Sequence, residues 1–264
     1  MPWRRTSTRV EAFQRASGYA PLECPGKPPV WSHMVLALSL LALTLSAAPA
    51  TPPSGRALNT QGFRLYQSGR YPEALEKFQA AAQATPDYAL AHYNAAATLG
   101  LLRKQGKVCE YSAHRDVIVE KLATAVRLDP RRLQRAKEDR DLDVIRDTLG
   151  WQKLLGRTPQ KEADVPALLR AVSWYGPGVG VYGTTRALKF QDGGRVELWR
   201  KDINDSGKPK ESRTQGTYTV RGRTVEVKLP GTAAPVTGTL TEAGALTFPE
   251  PLGGFTDSPS ECDA

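Results

Sequence analysis

The chain has 264 residues, enough for two modest domains. Its charged fraction of 24% and hydrophobic fraction of 40% are ordinary for a globular protein, which excludes the compositionally extreme classes. The net charge is +9, and the surplus beyond residue 50 lies within residues 51–157, with 18 Lys/Arg against 12 Asp/Glu; residues 158–264 balance at 13 and 13. That imbalance points to an acidic partner surface or to a merely solvated helical face. The basic residues are scattered among acids without interleaved aromatics, so nucleic acid is not expected.

Residues 1–33 carry Arg4, Arg5, Arg9, Arg15 and Lys27 without sustained periodicity. The charge-free run MVLALSLLALTLSAA (34–48) follows. Its length suits the apolar core of an export signal and is short for a membrane span. Ala48, Pro49 and Ala50 supply small residues for cleavage before Thr51, and either Met1 or Met34 can be the start. Cys24 follows a glutamate and does not form a lipoprotein cleavage box. The expectation is export to the periplasm or outer envelope of a Gram-negative-type bacterium, with membrane attachment only through an uncleaved signal.

From Gly55 the period becomes helical. Leu58, Gly62 and Leu65 share one face, as do Ala74, Phe78 and Ala81, with Gly69 between the two helices and Pro86 after the second. A third helix runs from Asp87 with Leu90, Tyr93, Ala97 and Leu101 roughly aligned; Ala96 lies 34 residues after Gly62. Ile118, Leu122, Ala125 and Pro130 then repeat the spacing of Ala74, Phe78, Ala81 and Pro86. The two prolines are 44 residues apart, so about ten surplus residues fall around Gln105–Arg115. These residues resemble a tetratricopeptide repeat (TPR), in which a small residue, A-x3-F and a closing proline set two helices against each other. The segment from Asp139 to Gly156, with its D-x-D-L, I-R-D and tryptophan, looks like a cap that covers the open end of such a stack.

The resemblance implies a short helical solenoid that binds a protein or peptide. Its groove candidates are Asn59, Phe63, Tyr66, Leu90 and Asn94; the alternative for each is ordinary packing or a polar residue in solvent. Asn59 and Phe63 stand where a carboxylate clamp wants Lys and Asn, so that chemistry is not carried over.

Residues 158–162 read as a linker and Asp164–Trp174 as a helix with Leu168, Leu169 and Val172 on one face. Six alternating runs follow, around Leu188/Phe190, Val196/Leu198, Tyr218/Val220, Val225/Val227/Leu229, Val236/Leu240 and Leu246/Phe248. Tight turns between them give an antiparallel meander, either a small barrel or a sheet packed on the helix. The fold class is thus α+β in two domains. Residues 1–50 are the extension and signal, 51–157 the TPR-like domain, 158–177 the linker and helix, and 178–264 the β domain.

Reactive groups are sparse. His92, His114 and Cys109 do not make a structural zinc set. The run from Asp202 to Gly207 begins like a calcium loop but has Arg213 in the twelfth place, so a hairpin turn is expected. Gly176–Gly183 precedes strands rather than a helix and offers no phosphate cradle. No cofactor, metal or catalytic residue is expected. Export would leave Cys109 and Cys262, which would pair in an oxidising compartment or remain free or intermolecularly paired. The reading is a non-catalytic adaptor. The alternative is an apolar-ligand carrier with a cavity lined by Leu188, Phe190, Leu198, Val227 and Phe248. Oligomeric state is not legible.

Overall fold

The computed structural model describes residues 53–176, 185–203, 208–259 and 262. The candidate export segment, Cys24, residues 177–183 of the glycine-rich run and residues 204–207 of the aspartate-rich loop lie outside them. Thr51–Ala264 form one compact unit, an α+β arrangement in which a helical part precedes an antiparallel sheet.

Helices α1 (Gly55–Gln67) and α2 (Tyr71–Ala84) pack as a hairpin, followed by α3 (Ala89–Lys104) and α4 (Arg115–Leu128). Ser54 starts α1 by accepting the Ala57 N–H on its hydroxyl. The expected seam residues Leu58, Gly62, Ala74, Phe78, Ala81, Ala96, Ile118, Leu122 and Ala125 are all buried; Leu65 is half-buried against the same core. Pro86 and Pro130 follow the ends of α2 and α4 and are exposed. The surplus residues form the α3–α4 connection, where Ala113 is fully buried and its N–H bonds the Val108 carbonyl at 2.8 Å.

The apolar stripe of α3 differs from the expected one. Leu90 and Leu101 are only half-buried, whereas Leu99 and Leu102 are deeply buried. The cause is that α3 packs against α2, α4 and a 3₁₀ segment, Arg140–Ile145, and so is enclosed on several sides. A helix apolar nearly all round has no single stripe to read. Short helices α5 (Arg131–Glu138) and α6 (Leu149–Leu154) flank that 3₁₀ segment.

Helix α7 spans Val165–Ala171, shorter than expected, because Trp174–Tyr175 form strand β1. Asp164 does not cap it through its side chain; its Oδ2 accepts the Thr158 N–H at 2.9 Å and ties down the linker.

Among the described residues eight strands follow in strict chain order rather than six: β1, β2 (Thr185–Gln191), β3 (Arg195–Ile203), β4 (Pro209–Arg221), β5 (Thr224–Lys228), β6 (Val236–Leu240), β7 (Leu246–Thr247) and β8 (Gly254–Phe255). Each neighbour pair is antiparallel. Tyr175 and Thr256 then exchange backbone bonds of 2.7 and 2.8 Å, joining β1 to the chain just beyond β8. The meander is therefore a nearly closed barrel, which hides its edges. The two expected alternatives coexist, since Leu168 and Leu169 of α7 join the barrel core. Leu188, Phe190, Leu198, Val227 and Phe248, the residues a carrier cavity would need, are packed into that core at 0, 1, 3, 0 and 8% exposure.

The barrel and the helices are fastened together at several points. Leu149 N–H donates to Asp257 Oδ2 at 2.8 Å, and Ser173 N–H to the Asp147 carbonyl at 3.1 Å. Arg115, only 4% exposed, donates to the Asp257 carbonyl at 3.3 Å and pairs with Asp147. Cys109 and Cys262 are joined by a disulfide.

Candidate protein-binding groove

The helical part holds a cavity of about 310 Å³ between α1, α3, α5 and the start of the 3₁₀ segment. Phe63 and Tyr66 reach it from α1, and Tyr93, Asn94, Ala97 and Thr98 from α3. Spacings of three and four residues put each set on one helical face.

Phe63 stands at 49% exposure and is the exposed large hydrophobic residue among the described ones. Below it the wall is polar and internally bonded. The Tyr66 hydroxyl donates to Asp141 Oδ2, and the Tyr93 hydroxyl donates to Asp139 Oδ2 at 2.7 Å. Asp139 also caps the 3₁₀ segment, accepting the Asp141 N–H on Oδ1 at 3.0 Å. Burial first, then the bond to a carboxylate, pushes both phenols well above their usual value, so both stay neutral donors.

Gly100 makes this wall possible. A Cβ there would stand 2.1 Å from the Asp141 carbonyl oxygen, so only glycine lets the 3₁₀ segment press this close to α3.

The expected groove residues separate into three groups. Phe63, Tyr66 and Asn94 line the cavity together. Asn59 lies beneath it at 5% exposure, where its Oδ1 accepts the Asn94 Nδ2 at 2.9 Å and holds that side chain in place. Leu90 is half-buried and does not line the cavity. Sequence reasoning missed Tyr93, Thr98 and the whole α5 side, namely Arg135, Glu138, Asp139, Arg140 and Asp141. Its one available signal was the D-x-D-L run, which reads as a cap and is also a wall.

Three carboxylates and two guanidiniums line the groove, so its interior is of mixed charge and does not share the basic surplus of the helical part. No group of three or more metal-ligating side chains occurs among the described residues.

No curated protein matches the chain. Residues 62–102, from the middle of α1 through nearly all of α3, match the family model described as TPR repeat. The matched span holds the small residue, the A-x3-F pair and the proline, and it supplies both helices that carry Phe63, Tyr66 and Asn94. That segment of the chain therefore carries a TPR repeat.

Proposed function

We propose that the protein is a non-catalytic adaptor that holds a segment of a partner protein in the groove between α1, α3 and α5. TPR repeats typically bind protein partners, and the observation that carries the assignment to this groove is Phe63. A large aromatic side chain half in water at the mouth of a cavity offers apolar area that a bound segment would bury, as the aromatic anchors of interfaces do. Asn94, fixed by Asn59, is poised to bond the backbone of an extended segment. Arg135 and Arg140 would receive acidic side chains of the partner on the α5 side.

The test is a photo-crosslinking amino acid placed at Phe63, with the same group at exposed Glu226 on the barrel as control. The expected result is a discrete adduct from position 63 alone, suppressed by Asn94→Arg, which fills the groove. Equal adducts from both positions, or one indifferent to Asn94→Arg, would remove the groove from the proposal.

We propose further that the chain is exported. The charge-free run 34–48 supports this, and so does the Cys109–Cys262 disulfide, because such bonds persist in oxidising compartments. The expected outcome is a periplasmic chain whose amino-terminal sequence begins at Thr51. A cytoplasmic chain beginning at Met1 would overturn it.

A further inference from the structure

A second cavity, about 590 Å³, opens beside α7 and the β2–β3 turn, remote in sequence from the TPR match. Arg157, Arg170 and Arg195 all line it, with one carboxylate, Asp192. The small side chains of Ala167 and Ala171 leave it open.

The three guanidiniums are held in place from one side. Gly156, at φ 85°, turns the chain at the end of α6 so that the Arg157 N–H bonds the Gln152 carbonyl at 3.0 Å. The Arg157 Nη1 donates to Gln152 Oε1 at 2.7 Å, and Gln152 is itself only 3% exposed. One buried residue thus fixes both ends of Arg157. Arg170 uses its Nε on Asp192 Oδ1 at 3.2 Å, and Arg195 uses its Nε on the Asp192 carbonyl at 3.4 Å. The paired Nη groups of Arg170 and Arg195, and the Nε and Nη2 of Arg157, find no partner among the described residues.

The charges do not balance within the cavity. Three permanent cations face one carboxylate whose side chain is 95% exposed and well screened. Guanidinium forks with unspent parallel N–H groups match the paired oxygens of carboxylates and phosphates. We propose that this cleft binds a small multivalent oxyanion of the phosphate or carboxylate class, clasped between Arg157, Arg170 and Arg195.

The test is calorimetric titration of the full chain, in low-chloride buffer, with sodium pyrophosphate and separately with citrate. Saturable binding of either is expected, with pyrophosphate alone assigning phosphate and citrate alone assigning carboxylate. Removing one guanidinium, as in Arg157→Gln or Arg195→Gln, is expected to weaken binding about tenfold or more. Arg127→Gln, on an exposed face of α4, is expected to leave it unchanged. Circular dichroism identifies any variant that fails to fold, and Arg195→Gln, at the exposed start of β3, stands in for one that does. Two silent titrations, or binding indifferent to both cleft variants, would overturn the proposal.

Discussion

The two tyrosines on the groove wall give the structure a defined response to alkali. Tyr66 and Tyr93 act as neutral donors to Asp141 and Asp139, and both have folded values raised above the unfolded value of about 10. A raised folded value means stability that is present in full below the unfolded value and is lost as pH climbs beyond it, because the unfolded chain ionises first. Urea unfolding should therefore show stability falling above about pH 10. The Tyr66→Phe/Tyr93→Phe variant should fall less steeply; an equal slope would show that the phenols contribute nothing. At neutral pH Tyr66→Phe should cost roughly 1 kcal/mol, the net value of one hydrogen bond. Phe63 should behave in the opposite way. It is half in solvent, so Phe63→Ala should change stability by less than about 0.5 kcal/mol while weakening partner capture.

Turns and strands set how the groove and the cleft are presented. The three glycines that end α1, α3 and α6 all have positive φ, and each is followed by a residue whose N–H bonds back to a carbonyl in the last helical turn. Gly156→Ala should cost about 1–2 kcal/mol through the left-handed backbone alone, read by thermal unfolding, and should also displace Arg157. The barrel makes a separate demand. Phe190, 1% exposed and edge-on to Tyr218 at 4.8 Å, fills the space a carrier would leave empty. Phe190→Ala should cost about 3–5 kcal/mol, and a much smaller loss would mean the interior was never tightly packed. What was legible in the sequence follows the same division. The seams of α1, α2 and α4 are readable because small and apolar residues recur at helical spacing on one face. The runs of β2 to β6 are readable because their faces alternate, and β7 is readable because Phe248 carries the alternation of Leu246 past its two strand residues. Strands β1 and β8 have two residues each, too few to show any period, so the near closure of the barrel is not readable. The α5 side of the groove escapes for another reason. Its meaning lies in bonds from Asp141 and Asp139 to tyrosines 75 and 46 residues away, and no local pattern marks such pairs.

The last residues of the chain decide whether helices and barrel behave as one body. Between Thr256, which joins β1, and Cys262, which joins the α3–α4 connection, Asp257 bonds both Leu149 and Arg115. This tail closes the sheet and clamps it to the helices in a single pass. Arg115 makes the clamp costly to break, because it is 4% exposed, lies 5.7 Å over the Tyr175 ring and has its other partner in Asp147. Removing the carboxylate partner would strand a buried cation. The disulfide adds a constraint of a different kind. It closes a span of 153 residues, so its effect falls on the unfolded chain and could reach roughly 3–5 kcal/mol. With the bridge intact, helical ellipticity and tryptophan fluorescence should report one coincident transition. In Cys109→Ser/Cys262→Ser the midpoint should fall while the two probes stay coincident, because the Asp257 and Arg115 bonds remain. Adding Asp257→Ala, which removes the Leu149 bond, together with Arg115→Met, which removes the bond to the Asp257 carbonyl, should separate them, with the barrel signal lost apart from the helical one. Coincident curves in that variant would place the coupling elsewhere, in the Ser173 bond to the Asp147 carbonyl and the Arg223 bonds to the linker carbonyls of Pro159 and Gln160.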